Sequence, residues 1–366
     1  MSLPLAAYAD PDWASTEERA VRASPFRYAG HRSAVAEPGG FEVAPPDDAL
    51  VLVNDDGDLR LLDNVCAHRQ ARILDGSGRL GRHLRCPIHS WSYRLDGSLR
   101  HAPGMDPTVC EGLRRHPTWS WQDLVFRGPN SGGSLLDDLA SWPLLRHFDF
   151  AGYRRQRVTV EDYPFDWKIF VEVYLDLYHV RPYHPGLGRL VDCEALNWAF
   201  GRHWSCQVAP FNSPVGGTDV FEDWCRLIRG RHPAAPPPFG ALWLTIYPNT
   251  TVEWYPDVLV VSTIWPDGPG RSRNVVEYFY PEDLGAGLDA YAAAHQAAYE
   301  ETAVEDGDIC LRMQQGKQAL WRAGREATSP DHDPLEAGIG HFHDWLAVHL
   351  APTADRCAQL WTVGGP

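Results

Sequence analysis

Cys66-Ala-His68 and, seventeen residues later, Cys86-Pro-Ile-His89 form the part of the chain that decides its fold. Each segment offers one thiolate and one imidazole, and both groups are metal ligands. Strand-like sequence, Leu61-Leu62-Asp63-Asn64-Val65, precedes the first segment, and a short strand with an Asp96-Gly97 turn follows the second. The pattern predicts two loops in a small β domain that hold a metal centre between them.

Two kinds of metal centre take two cysteines and two histidines. A structural zinc ion binds all four, whereas a Rieske [2Fe–2S] cluster has both cysteines on one iron and both histidines on the other. Zinc modules more often group Cys with Cys and His with His. Here each segment holds one of each, so we expect a Rieske cluster. Its ligands would be Cys66, His68, Cys86 and His89.

Composition bounds the remaining possibilities. The chain has 366 residues, 44% of them hydrophobic and 22% charged, which suits two domains with a sizeable core. A formal net charge of −15 argues against nucleic acid or an anionic membrane as partner. The first ten residues resemble no signal peptide, and no apolar run reaches the roughly 18 residues of a membrane span. The other six cysteines are scattered and read as reduced, so we expect a cytoplasmic protein.

Changes of pattern along the chain predict four regions. Residues 1–30 read as a helical lead-in that packs on the catalytic domain, and residues 31–127 as the all-β Rieske domain. A glycine-rich stretch opens a linker at 128–150, and residues 151–366 form the catalytic domain.

Strand and helix patterns within residues 151–366 predict an α+β domain with one antiparallel sheet over helices. Helices are expected after the first strand, at 281–316 and at 334–350. The strand candidates are 153–160, 204–209, 241–247, 250–255, 258–265 and 274–280.

A second group of metal-ligand residues, Asp176, His179 and His184, follows the first strand of that domain. On a helix, Asp176 and His179 would share a face, and Pro182 would bend the chain and bring His184 beside His179. Two imidazoles and one carboxylate on one side of an octahedral iron form the facial triad of O2-activating Fe(II) enzymes. Alone, the two histidines could equally be unrelated residues near a helix end.

The third ligand must come from another segment. Glu305, Asp306 and Asp308 lie close together in the helical stretch 301–316, and a carboxylate buried among apolar neighbours there would need a cation partner. Spacing does not choose among the three.

Taken together, these motifs resemble the large (α) subunit of the Rieske non-haem iron oxygenases, the aromatic ring-hydroxylating dioxygenase family with its monooxygenase and demethylase relatives. The Rieske segments, D-x-Y-H-x4-H and E-D-G-D…Q-x-G occur in the family's order over essentially the whole chain. The resemblance implies that Asp306 is the third iron ligand, since Gln314 stands seven residues after Gly307. It also implies that Asp176 links His179 to His89 of a neighbouring subunit. Val173 departs from the Asn that many members carry there.

The resemblance also implies the remaining properties. We expect a helix-grip (START-like) catalytic domain, a mononuclear Fe(II), O2 as co-substrate and a homotrimer. Electrons would come from NAD(P)H through a reductase or ferredoxin. The expected reaction is hydroxylation, dihydroxylation or demethylation of a small organic molecule, with an aromatic ring compound foremost. A quaternary ammonium or methylated amine is the alternative substrate, and a non-catalytic electron-transfer protein or a zinc-stabilised binding protein are the alternatives of another class.

Aromatic residues of the predicted strands are candidates for the substrate pocket, although each could equally belong to the core. An aromatic pocket suits a planar arene or, by cation–π contact, a quaternary ammonium. His341 and His343 are expected to belong to the last packing helix. The pocket candidates are Trp204, Phe211, Trp243, Tyr247, Trp254 and Trp265.

Overall fold

A computed structural model describes most of the chain, in two compact units. One unit comprises residues 25–155, and the other joins residues up to 24 with those from 156 onward. Residues 129–137 of the predicted linker lie outside the described residues, and 138–155 group with the first unit. The predicted domain limits remain predictions. The described residues are 3–24, 26–44, 46, 49–106, 108, 110–128, 138–212 and 217–349.

The unit of residues 25–155 is built from short antiparallel strands, which confirms the predicted all-β Rieske domain. Its sheets have the orders β5-β2-β3-β4-β9, β6-β7-β8 and β1-β11-β10. The strands are β1 Tyr28–His31, β2 Gly40–Val43, β3 Leu50–Asp55, β4 Asp58–Asp63, β5 Ser77–Arg79, β6 His83–Arg85, β7 Ser92–Arg94, β8 Leu99–His101, β9 Arg115–His116, β10 Thr118–Trp121 and β11 Leu124–Arg127.

The second unit contains one seven-stranded sheet and several helices, which confirms the predicted α+β class. Its strands are β12 Tyr153–Tyr163, β13 Asn197–Phe200, β14 Trp204–Pro210, β15 Phe239–Ile246, β16 Thr250–Tyr255, β17 Val258–Pro266 and β18 Ser272–Pro281. Its helices are α1 Ala6–Ala9, α2 Pro11–Ala23, α3 Trp167–Tyr174, α4 Val180–Tyr183, α5 Leu187–Leu190, α6 Asp219–Arg231, α7 Leu288–Arg322 and α8 Ala337–His349.

The sheet and the long helix α7 form the frame of this unit. Strands β13 to β18 pair antiparallel in chain order, and β12 lies beside β18. The first turns of α7 pack on the sheet through Tyr291, Ala292 and Ala298, within the largest hydrophobic core. The same helix contacts α1, α3 and α6. No helix in the described ranges has both the length and the apolar character needed to cross a bilayer.

Helix α6 and strand β13 were not anticipated from the sequence. The signal for α6 is present, because acidic residues stand in its first turn and Arg229 and Arg231 in its last, where they suit the helix dipole. Its buried residues also follow a helical spacing: Phe221, Trp224, Cys225 and Ile228.

A buried ion network ties α2 to α3. The ammonium nitrogen of Lys168 is fully buried and lies 2.5 Å from Glu17 Oε2 and 2.8 Å from Asp166 Oδ1. The indole N–H groups of Trp13 and Trp167 also donate to the Glu17 carboxylate. Each charge therefore has a partner, as burial requires.

Replacing Lys168 by a neutral residue should show how much its charge contributes to the free energy of unfolding. We expect Lys168→Met to destabilise the protein by about 3–5 kcal/mol, because two buried carboxylates lose their counter-charge. The matched control is Arg181→Met, which breaks an ion pair to Glu194 of similar length, 2.6 Å, between side chains 81% and 79% exposed. That change should cost less than about 1 kcal/mol. Urea unfolding followed by circular dichroism measures both, and equal losses would contradict the assigned role of Lys168.

Candidate metal centres and substrate cavity

Loops 66–71 and 86–91 have the same backbone geometry. In each, the cysteine N–H donates to the carbonyl oxygen five residues later, at 2.8 Å. The residue four positions after each cysteine has a left-handed backbone, with φ of 53° at Gln70 and 61° at Ser90. The two cysteines therefore occupy equivalent positions, whereas His68 follows its cysteine by two residues and His89 by three.

The side chains of these loops separate into a buried and an outer pair. Cys66 and Cys86 are each 2% exposed, whereas His68 is half-buried and His89 exposed. The two imidazole rings lie 4.7 Å apart, and His68 stacks on Trp91. The two cysteines thus lie inside and the two histidines toward solvent.

This arrangement fits a binuclear cluster better than a zinc ion. A zinc ion would bind all four side chains to one metal. A Rieske cluster has both cysteines on one iron and both histidines on the other, which matches the separation into a buried cysteine pair and an outer histidine pair. The buried hydroxyl of Tyr93 lies 3.1 Å from Cys66 Sγ and can hydrogen-bond a cluster-bound thiolate.

His179, His184 and Asp306 converge in the other unit. The two histidine Nε2 atoms are 3.0 Å apart, and Asp306 Oδ1 lies 2.9 Å from His184 Nε2 and 3.3 Å from His179 Nε2. Metal–ligand bonds of about 2.1 Å place adjacent octahedral ligands about 3.0 Å apart. The three atoms therefore have the spacing of one face of an octahedron, and they fit a mononuclear iron with open positions opposite.

The chain reaches this geometry by a route that differs from the one predicted. Helix α3 ends at Tyr174, so Asp176 and His179 lie in a turn and not on one helix face. Asp176 Oδ1 accepts hydrogen bonds from the backbone N–H groups of Tyr178 and His179, at 2.7 and 3.2 Å, and fixes that turn. Pro182 lies inside the short helix α4, and the bend precedes it.

The three acidic residues of α7 occupy different positions. Asp306 faces both histidine Nε2 atoms, and Glu305 Oε2 lies 2.7 Å from His184 Nδ1. Asp308 is directed elsewhere, toward Tyr183 and Arg312. Sequence spacing left these three alike, and the role of Glu305 was missed.

Each histidine of the triad has a carboxylate on its second ring nitrogen. Glu305 contacts Nδ1 of His184, and Asp176 Oδ2 lies 3.1 Å from Nδ1 of His179, within ion-pair distance but outside hydrogen-bond geometry. Such carboxylates orient metal-bound imidazoles and raise their basicity. Both ring Nε2 atoms are thereby turned toward Asp306.

The electrostatics of the triad favour positive charge at its centre. Burial lowers the pKa of His179, but Asp176 and Asp306 outweigh it and raise the pKa to about 9. Burial also lowers the pKa of His184, but Asp306 and Glu305 outweigh it and raise the pKa above its usual value. Burial raises the pKa of Asp306, whereas His179 and His184 bring it below its usual value. A bound metal cation would supply this positive charge.

A cavity of about 370 Å³ adjoins the triad. Its wall includes the three triad residues and Asp176, with side chains of the sheet, α6 and α7.

Of the six aromatic candidates for the substrate pocket, Trp243 lines the cavity, whereas Trp204, Tyr247 and Trp265 are buried in the core away from it. Trp254 lies on the opposite face of β16, because its neighbours face the cavity and strand side chains alternate. Phe211, beyond β14, is also absent from the wall.

Several cavity residues were not anticipated from the sequence. They are Trp224 of α6, Glu253 and Tyr255 of β16, Tyr278 of β18 and His295 and Tyr299 of α7. His341 and His343 lie on α8, as expected. Their ring nitrogens contact Tyr247 and Glu172.

Two family models match the chain. Residues 28–119 match the Rieske [2Fe-2S] domain, and residues 150–351 match the ring hydroxylating alpha subunit (catalytic domain). The chain therefore belongs to the Rieske non-haem iron oxygenases. It is an oxidoreductase that uses a Rieske cluster and a mononuclear iron and receives electrons from a reductase. The expected family, enzyme class and cofactors are confirmed.

Individual relatives narrow the comparison. The chain is 41% identical to putrescine 2-hydroxylase of Ralstonia nicotianae (strain ATCC BAA-1114 / GMI1000) over 94% of each chain. It is 36% identical to putrescine 2-hydroxylase of Bordetella bronchiseptica, over 96% of this chain and 85% of that protein. Among solved structures, the quaternary ammonium Rieske monooxygenase CntA in complex with an inhibitor has the same fold, with a TM-score of 0.77, 19% identity and coverage of 96% and 95%.

The assignment of Asp306 as the third iron ligand can be tested by loss of the mononuclear iron. We expect Asp306→Ala to abolish turnover and to lose the mononuclear iron, while the visible absorption of the cluster is unchanged, because the two centres have separate ligands. Iron analysis and the visible spectrum measure the two effects. Asp308→Ala, on the same helix, is the matched control and should retain the iron. Loss of the cluster absorption in Asp306→Ala, or turnover by that variant, would contradict the assignment.

Proposed function

We propose that this chain is a monooxygenase that hydroxylates a C–H bond of a small aliphatic amine, with a diamine such as putrescine as the leading candidate. The observation that carries the proposal is the 41% identity, along nearly the whole chain, to a putrescine 2-hydroxylase. The relatives do not support the aromatic ring substrate that was expected foremost, or dioxygenation among the expected reactions. The alternative expectation, a monooxygenase of a quaternary ammonium or methylated amine, fits them better, although a primary diamine was not itself expected.

The proposed reaction consumes one O2 for each hydroxyl group formed. One oxygen atom enters the C–H bond, and the other leaves as water with two protons and two electrons from the reductase. The iron supplies O2 activation when it is bound. The chain holds the ligands, positions the amine in the cavity and excludes water from the reacting carbon.

Residue roles follow from the two centres. Cys66, His68, Cys86 and His89 would hold the cluster. His179, His184 and Asp306 would hold the iron, with Asp176 and Glu305 as positioning residues for the two imidazoles. The convergence of the triad beside a cavity argues against a protein that only transfers electrons.

We further propose that the chain assembles as a homotrimer in which Asp176 connects the iron of one subunit to the cluster of the next. The support is the family resemblance and the contact between Asp176 and His179. A carboxylate at this point can hold His179 through one oxygen while it accepts a second hydrogen bond from another histidine.

The cavity and the overall charge are suited to a cation. Aromatic faces such as that of Trp243 attract ammonium groups, and Glu253 adds an acidic group, whereas the ring of Tyr278 already has the Arg157 guanidinium 5.9 Å from its centroid. A net charge of −15 also favours the approach of a diamine over that of an anion.

The substrate class is tested by product analysis. We expect purified enzyme with a surrogate reductase to convert 1,4-diaminobutane to a monohydroxylated product, with one oxygen atom derived from ¹⁸O2. An arene, an aryl ether and a trimethylammonium compound serve as comparison substrates under the same conditions. Mass spectrometry identifies the products. Oxidation of the arene but not of the diamine would refute the proposal.

The role of Asp176 is tested by a change that keeps its shape. Asp176→Asn retains an oxygen for the Tyr178 and His179 N–H groups but loses the charge near His179. We expect both metals to remain and turnover to fall severely, by roughly 100-fold, as typical for loss of a carboxylate that orients a metal-bound imidazole. Iron content, the cluster spectrum and steady-state rates measure this. Normal turnover would rule out the bridging role.

A further inference from the structure

Glu253 stands in a row of residues that crosses the sheet. It pairs with Trp243 of β15 on one side and with Val260 of β17 on the other, and Val260 pairs with Tyr278 of β18. Glu253, Trp243 and Tyr278 all line the cavity. A single carboxylate therefore lies within an aromatic wall of the cavity, on the rigid part of the fold.

Hydrogen bonds fix the orientation of this carboxylate. Tyr255 donates to Oε2 at 2.9 Å, and Tyr299 of α7 donates to Oε1 at 3.1 Å. The Tyr255 oxygen in turn accepts from Trp243 Nε1 at 2.9 Å. A carboxylate has about four acceptor sites, so each oxygen retains capacity for one more donor.

The carboxylate of Glu253 is buried without an ion-pair partner in the described part of the chain, and Arg157, which also lines the cavity, has its guanidinium 5.9 Å from the ring centroid of Tyr278. Glu253 is 5% exposed, and among the described residues no Lys, Arg or His forms an ion pair with it. Burial raises its pKa to about 7, and the negative charge of Asp306 acts in the same direction. A buried carboxylate is costly without a cation, and a cationic ligand would remove that cost.

His295 is a buried neutral residue in the same wall of the cavity. It is 1% exposed, its ring lies about 6 Å from those of Tyr255 and Tyr299 at 6.1 and 5.9 Å, and its Nε2 has no hydrogen-bond partner. Tyr280 contacts Nδ1 at 2.9 Å and can donate its own proton to the Ala292 carbonyl. Burial lowers the pKa of His295 to about 3, so this residue brings no counter-charge to Glu253.

We propose that Glu253 binds a primary ammonium group of the substrate and sets the selectivity for amines that carry N–H groups. The inference rests on the proposed function, because it takes this cavity to be the substrate site. A primary ammonium has three N–H donors and a full positive charge, which match the charge and the remaining acceptor sites of a buried carboxylate. A quaternary ammonium would meet the charge but not the acceptors.

Equilibrium binding tests this without turnover. Isothermal titration calorimetry under anaerobic conditions compares the iron-loaded wild type, Glu253→Gln and Glu300→Gln, where Glu300 is an exposed residue at the same cavity. The ligands are 1,4-diaminobutane, its bis-trimethylammonium analogue and 1,4-butanediol. Loss of a charge-assisted hydrogen bond should weaken diamine binding to Glu253→Gln by roughly 10- to 100-fold. Glu300→Gln should change it by less than about threefold.

The outcomes are distinct. Equal diamine affinity in wild type and Glu253→Gln would overturn the inference. If Glu253→Gln loses its fold, the wild type decides alone: the diamine must bind at least roughly tenfold more tightly than the diol and the quaternary analogue, and equal affinities would overturn the inference. Binding that depends on Glu253 without oxidation of the diamine would support the inference and contradict the proposed function. Oxidation of the diamine at the same rate by wild type and Glu253→Gln would support the proposed function and contradict the inference.

Discussion

Three ligand atoms in one small space, His179 Nε2, His184 Nε2 and Asp306 Oδ1, are the constraint on which the catalytic unit depends. Two imidazole nitrogens cannot face each other at 3.0 Å as lone pairs without a cation or a proton between them. The surrounding structure holds them there, through the turn fixed by Asp176 and through Glu305. Helix α7 supplies both Asp306 and Glu305 and also packs against the sheet. The same helix therefore positions the triad and contributes to the hydrophobic core.

The wall of the cavity contains two acidic groups with different chemistry. The carboxylate of Asp306 belongs to the triad, whose electrostatics favour a metal ion. Glu253 is a carboxylate whose hydrogen bonds all come from neutral groups. A substrate with a cationic end and an aliphatic chain would place its charge at Glu253 and its C–H bonds against the apolar wall. The relatives named for putrescine suit this division.

Sequence pattern was sufficient to predict the parts of the structure that depend on residues close together in the chain. The two loops of the Rieske domain were predictable because the four proposed cluster ligands lie within two short segments, and strands such as Thr250–Tyr255 were predictable from their composition. The end of α3 at Tyr174 was not, since it depends on side-chain bonds from Asp176 that compete with the helix. Glu305 and Glu253 acquire their roles from contacts across more than 40 residues, which spacing does not encode.

The most direct test of an amine oxygenase built on these two centres is the EPR spectrum of the reduced protein with nitric oxide, under anaerobic conditions, with and without 1,4-diaminobutane. Nitric oxide occupies an open position on ferrous iron and reports on its surroundings. We predict separate signals from the reduced cluster and from a ferrous nitrosyl complex, with the diamine altering the second alone. Absence of the nitrosyl signal, or a nitrosyl signal that saturating diamine leaves unchanged, would contradict the proposed site.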